Sequence, residues 1–299
     1  MRIISVLFLV SLSAWAQARP IITGVGYVPA TMALAPGEVI TLFAQGLQAP
    51  DTEAGITPWP LTLAGVRVSL REPAYGYSRD LPILNIKRLP CNVGAPIPCD
   101  TQAITVQTPT DLPTSPPPFS GRGPAVPTIT IYENGVEGFA TRYNWVPARW
   151  TVLNDCFEFL RSSAASCSSS VTVTHADGRL VSSSDPGRAG EIIVLYGVGL
   201  GVTSPVVTEG QAAPSPAPRA VNSLRTWFSI TTIPDDFPVD GSWSQPEFAG
   251  LVPGYVGLYQ VNLRLPTTLP PTSANGQRPI TITFDSNGQR SIVQIDALP

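Results

Sequence analysis

The clearest pattern in the chain is alternation. Ile129 and Ile131 are separated by a polar threonine, and Ile280, Ile282 and Phe284 repeat the arrangement further on. A period of two is that of a strand with one face buried. Each run leads into an Asn-Gly pair, Asn134-Gly135 and Asn287-Gly288, the dipeptide that best accepts positive φ at both central positions of a hairpin turn. A second alternating run leaves each turn: Phe139, Thr141, Tyr143 and Trp145 in one place, Val293 and Ile295 in the other. Two β-hairpins are therefore predicted. EVITLF (38–43) and EIIVLY (191–196) are more continuously apolar and β-branched, as in central strands covered on both sides. No stretch sustains a helical period; FEFLRSSAAS (157–166) reaches at most one short helical turn.

These elements are two copies of one design. PGEVITLFAQGL (36–47) and AGEIIVLYGVGL (189–200) coincide at Gly37/Gly190, Glu38/Glu191, Ile40/Ile193, Leu42/Leu195, Gly46/Gly199 and Leu47/Leu200, an offset of 153. The two Asn-Gly pairs are also 153 apart, and TPTDLP (108–113) answers LPTTLP (265–270) at a slightly longer offset, as an insertion would leave. Blocks that keep order and spacing predict an internal duplication. Short strands, many Pro and Gly turns and almost no helix point to an all-β chain of two tandem immunoglobulin-like β-sandwiches. The expected division is residues 1–18 as a signal peptide, 19–150 as the first sandwich, 151–187 as a cysteine-bearing connector packed as a flap, and 188–299 as the second sandwich. Thr114–Pro127 and Ala212–Pro218 are low-complexity stretches read as exposed loops.

SDPGRAGEIIVLYGVGLG (184–201) and FAGLVPGYVGLYQVNLRLP (248–266), preceded by HADGRLVSS (175–183), resemble the Solibacter-type C-terminal domain of secreted acidobacterial proteins. APGEVITLFAQGL in the first repeat looks like the partner domain that precedes it. The resemblance spans most of the chain after residue 18. It implies an exported immunoglobulin-like protein, distantly similar to IPT/TIG modules, from a family with no assigned activity. The first repeat departs from the pattern, because LPILNIKRLP (81–90) and ITVQTPTDLP (104–113) are interrupted by the loop between Cys91 and Cys99.

Composition sharpens this picture. The chain has Pro 33 and Gly 25 among 299 residues, with 43% hydrophobic and only 13% charged positions. That is too apolar for disorder and too rich in breakers for a helical bundle. Its formal charge is −3, Lys87 is its only lysine and the arginines are scattered, so no massed cations speak for a nucleic-acid partner. Met1-Arg2, the apolar run Ile3–Ala16 and the small residues of Ala16-Gln17-Ala18 have the three-part layout of a secretory signal cut after Ala18. The run falls short of the ~20 apolar residues that span a bilayer, and no later segment is long and apolar enough, so no membrane span is expected after cleavage.

The four cysteines lie as Cys91/Cys99 and Cys156/Cys167. In an exported chain disulfides are expected. Three connectivities are open; neighbour pairing is favoured because each pair flanks a short loop, whose closure is worth roughly 2–3 kcal/mol. Neither pair has CxxC-type zinc spacing.

Reactive constellations are sparse. Gly197-Val-Gly-Leu-Gly201 follows a strand but opens no helix, so it reads as a strand bend rather than a dinucleotide loop. His175-Ala-Asp177-Gly178 reads as a tight turn rather than an acid–base pair, and no GxSxG elbow presents a serine. Asp235, Asp236 and Asp240 could offer oxygens to calcium, without the spacing of an EF-hand. No catalytic, cofactor-binding or metal residue is assigned. Among the aromatics, Trp145 and Trp227 are expected on strands, filling the two cores. Trp59 and Trp243, flanked by Pro, Gly and Ser, are expected in loops as ligand-facing residues, since rings bury much area at low entropic cost. The function expected is a secreted, non-enzymatic module that binds an extracellular protein or glycan. Its rival is an extracellular polysaccharide-active hydrolase, or a carbohydrate-binding accessory, using loop carboxylates and aromatics.

Overall fold

A computed structural model describes residues 19–25, 33–73, 76–89, 99–112, 126–153, 171–229, 243–267 and 279–298. They are all-β, with no α-helix among them. The first half carries β1 (Ile21–Val25), β2 (Ala33–Leu34), β3 (Val39–Gln45), β4 (Thr52–Glu53), β5 (Thr62–Leu63), β6 (Val66–Glu72) and β7 (Tyr77–Asp80). There follow β8 (Ile83–Arg88), β9 (Gln102–Gln107), β10 (Thr128–Glu133), β11 (Val136–Glu137), β12 (Thr141–Arg142) and β13 (Asn144–Trp145). The second half carries β14 (Thr151–Val152), β15 (Val173–His175), β16 (Gly187–Arg188), β17 (Ile192–Val198), β18 (Thr203–Ser204) and β19 (Arg219–Ala220). It ends with β20 (Leu224–Ser229), β21 (Phe248–Leu251), β22 (Tyr259–Arg264), β23 (Pro279–Ser286) and β24 (Gln289–Leu298).

In the first sandwich, the sheet β1-β3-β9-β8-β4 faces the sheet β11-β10-β6-β5, with β12 on β10 and β7 on β6. Ile40, Leu42, Ile104 and Ile86 from one layer meet Val68, Leu70, Ile129 and Ile131 from the other in a single buried cluster. In the second, the sheet β14-β17-β22-β21-β19-β18, with β15 on β17, faces β16-β24-β23-β20. Its cluster joins Ile193, Leu195, Val261 and Leu263 to Ile280, Ile282, Phe284 and Val293. Alternate residues of each strand point inward, which is how two half-apolar sheets make one core.

Pairing register carries the duplication into three dimensions. Ile40 opposes Val106 and Ile193 opposes Leu263; Glu133 opposes Val66 and Ser286 opposes Leu224. Even the short parallel pairings recur, Asn144 with Ala33 and Gly187 with Ala297. Both Asn-Gly turns hold positive φ at both residues, 49° and 83° at Asn134-Gly135 and 52° and 81° at Asn287-Gly288.

Three differences from the sequence reading are instructive. β3 is buried along most of its length, whereas Ile192, Val194 and Tyr196 of β17 are only half-buried, so the second copy of this strand is covered fully on one side alone. The last strand of the first repeat is broken where that of the second, β24, is continuous. At the break a Cβ on Gly138 would lie 2.4 Å from the Pro20 carbonyl oxygen, and Pro20 accepts the Phe139 amide at 2.8 Å. The segment at Pro20 thus occupies the space a regular strand would need. The third concerns tryptophan. Trp145 is only partly buried, packing on the first core and edge-on to Tyr77. Trp227 is buried but shares its strand face with Arg225, not with the inward Leu224 and Phe228. The tryptophan in the second core is Trp150, 2% exposed and edge-on to Phe284 at 6.2 Å.

The described part of 151–187 supplies β14, β15 and β16, all hydrogen-bonded into sheets of the second sandwich. Cys99, the one cysteine among the described residues, is disulfide-bonded. Cys91, Cys156 and Cys167 lie outside the described residues, as do Asp235, Asp236 and Asp240.

Candidate functional site

The described residues open a cleft where the two sandwiches meet. β17 ends in the Gly-rich bend, and Gly199 and Gly201 hold φ of 86° and 83° there. A Cβ on Gly199 would stand 2.2 Å from the carbonyl oxygen of Arg149. This position therefore demands glycine twice, for its backbone and for the close approach of the linking segment at Arg149. Arg149 donates its amide to the Gly199 carbonyl at 2.6 Å. Beyond the bend, the loop before β19 reaches back to the first sandwich. Trp59 donates its amide to the Gly210 carbonyl at 2.9 Å, Gly210 donates to Gln107 Oε1 at 2.7 Å, and the same Gln107 donates from Nε2 to the Gly37 carbonyl at 3.0 Å. Glu209 Oε1 accepts from both the amide and the hydroxyl of Thr110, at 2.6 and 2.8 Å. A small apolar cluster of Val39, Leu153 and Val198, with Trp59, Tyr196 and Leu258 against it, fills the space between.

The cleft itself encloses about 370 Å³. Val39, Leu153, Val198 and Leu258 line it from the shared cluster; Trp59 and Tyr255 flank it from loops of the two sandwiches, and Glu53 and Asn85 add polar atoms. Its surroundings are unusually apolar for a surface. Tyr255 is 58% exposed, and Ile56, next to the lining residue Thr57, is 78% exposed. An apolar hollow with a few polar groups and exposed rings is the usual form of a recognition site.

The structure separates the two tryptophans singled out from sequence. Trp59 lies in this cleft. Trp243 lies on the outward face of the β20–β23–β24 sheet, edge-on to Trp227 at 4.3 Å, with the Arg225 guanidinium 4.3 Å above its ring. Arg290 stands over Trp227 at 5.5 Å, and Asp285 sits 3.7 Å from both arginines. That stack is closed on itself by cation–π and charge contacts, leaving the Trp243 face already partnered. Tyr255 is one of several aromatics to which the sequence assigns no role, its VPGYVG segment resembling any tight turn; its exposure follows from the fold.

His175 and Asp177 do not form a pair. Asp177 accepts the amide and the guanidinium of Arg179 at 3.1 and 2.8 Å, closing the predicted turn, and that contact with Arg179 holds its carboxyl below the usual range. His175 Nδ1 lies 2.7 Å from Glu191 Oε1, and Nε2 lies 3.2 Å from the Asp185 carbonyl. The ring is thus held in place from both sides at the base of a hairpin. Among the described residues, no three His, Cys, Asp or Glu side chains come together as a metal set would, and no helix is long and apolar enough to cross a membrane.

No family model matches the chain, and no curated protein does. Among solved structures it is similar to a chimeric titin Z1Z2 carrying a decorin peptide, with 8% identity over 95% of this chain and 97% of that one, TM-score 0.17. It is similar to domains 5–6 of the S-layer protein SbsC, with 9% identity over 93% and 98%, TM-score 0.20. A third is the C-terminal domain of the Streptococcus pyogenes antigen I/II-family protein AspA, with 9% identity over 95% and 100%, TM-score 0.21. Overlap in space is too small at these scores to carry an argument; the sandwich assignment rests on the sheet order and register of this chain.

Proposed function

We propose that this chain is an exported, non-enzymatic interaction module of two immunoglobulin-like sandwiches of the Solibacter type, and that it holds its partner at the cleft between them. The observation that carries the reading is the cleft itself. Its floor is the apolar cluster shared by the sandwiches, and its walls are Trp59 from one and Tyr255 from the other. Rigid strands present both loops, which is how sandwiches place recognition residues. A volume near 370 Å³ suits one or two large apolar side chains of a protein partner. A sugar, which needs many hydrogen bonds, meets few polar groups there. The sequence supports export through the signal-like Met1–Ala18, and the disulfide at Cys99 suits an oxidising compartment.

Screening residues 19–299 on peptide, protein and glycan arrays tests the reading. Peptides with an aromatic or bulky aliphatic residue should be captured, and Tyr255→Ala should lose at least tenfold in affinity, the scale of one buried ring contact. Capture of glycans that survives this substitution would favour the carbohydrate-binding alternative. Turnover of a polysaccharide would favour the hydrolase.

A further inference from the structure

The equivalent glutamates of the two repeats have different fates. Glu191 meets His175 at the foot of a hairpin. Glu38 is 2% exposed and lies at the joint. Its Oε2 accepts the Ala35 amide at 2.8 Å, and its Oε1 would stand 3.2 Å from a Cβ placed on Gly199 of the second sandwich. Next to Glu38 there is no room for a further methyl on the other sandwich: a Cβ placed on Gly257 would stand 2.5 Å from Val39 Cγ2 and 3.2 Å from the Gly37 carbonyl oxygen. The charged group that acts on Glu38 is Arg149, in the segment that bonds Gly199; the titratable group facing it is Tyr259 on β22, whose hydroxyl donates to the Gly201 carbonyl. Burial outweighs both the Ala35 hydrogen bond and the Arg149 charge, raising the Glu38 carboxyl to about 7.

We propose that the joint is a proton-operated latch: neutral Glu38 keeps the two sandwiches closed on each other, and its ionisation opens the joint and the cleft beside Trp59. A carboxylate buried with so little compensation cannot stay dry. Ionisation draws water to it at the seam it shares with Gly199, and parting that seam loads the bonds that cross the joint, Trp59–Gly210, Gly210–Gln107 and Thr110–Glu209. Regulation of the cleft in this way rests on the binding reading, whereas the latch can be tested with no ligand present.

The experiment follows the amide resonances of Thr110, Trp59 and Gly210, which all bond across the joint, in the full mature chain between about pH 5.5 and 8.5, with small-angle scattering at the two ends of the range. The three amides should titrate together with a midpoint near 7, and the radius of gyration should rise on the alkaline side. Glu38→Gln, which keeps the acceptor for Ala35, should abolish the transition and stay compact throughout. Arg149→Ala removes the charge that favours the ionised form, so the midpoint should move up, a shift that a merely structural role would not cause. His175→Gln should leave the transition in place. Unchanged titration in Glu38→Gln, a pH-independent wild type, or an unchanged radius of gyration would each overturn the latch.

Discussion

The backbone amide of Trp59 donates to the carbonyl of Gly210 across the joint at 2.9 Å. This bond ties the aromatic wall of the cleft to the loop that leaves β18, so the wall is positioned by the second sandwich although it belongs to the first. Gly210 holds φ at 75°, and a Cβ there would stand 3.0 Å from the Trp59 amide nitrogen. Gly210→Ala should therefore cost roughly 1–3 kcal/mol through backbone strain and crowding. Chemical denaturation measures the loss, and the Trp59 amide should lose exchange protection first.

Trp150 belongs by position to the end of the first repeat and by packing to the core of the second. Trp150→Ala should destabilise the second sandwich by about 3–5 kcal/mol, as truncation of a buried ring does. A fragment beginning at residue 151 should melt well below one beginning at residue 146. Equal melting temperatures would show that the ring contributes nothing there.

Stability should also depend on pH through Glu38. An unfolded glutamate titrates near 4.5 and this one near 7, so the folded chain holds a proton that the unfolded chain has lost. The stabilisation from that proton is fully present below about pH 4.5, falls as pH rises, and is gone above about 7, a difference on the order of 3 kcal/mol. Urea denaturation at several pH values should show the decline in the wild type and its absence in Glu38→Gln.

Arg19 clasps the broken last strand of the first repeat. It donates to the Glu137 and Gly138 carbonyls at 2.9 and 3.2 Å and lies 4.5 Å over the Phe139 ring. These partly exposed contacts are modest, so Arg19→Ala should cost about 0.5–1 kcal/mol. Gly138→Ala should cost more, because its new methyl would meet the Pro20 and Ile131 carbonyls. Thermal melts of the two variants give the order directly.

Where one residue type meets one backbone demand, the sequence was informative. Asn134-Gly135 and Asn287-Gly288 announced their turns because few dipeptides accept that backbone, and the shared offset announced the duplication. Trp227 misled because alternation reveals two faces without saying which is inner, and a closed stack with Trp243 and Arg290 buries the outer one too. Trp150 carried no signal of its place, because a core can borrow a ring from beyond its own repeat. Half of the cleft was legible: Trp59 stood out as a proline-flanked aromatic. Its partner wall, Tyr255, and the latch at Glu38 arise only when the repeats meet, a tertiary fact that no local pattern encodes.

The most direct test is chemical-shift mapping of the mature chain with whatever ligand the arrays capture. Perturbations should centre on the Trp59 indole, Tyr255 and Leu258, from both sandwiches at once, and fade in Tyr255→Ala. Perturbations centred on Trp243 and Arg225, with the cleft silent, would contradict the account.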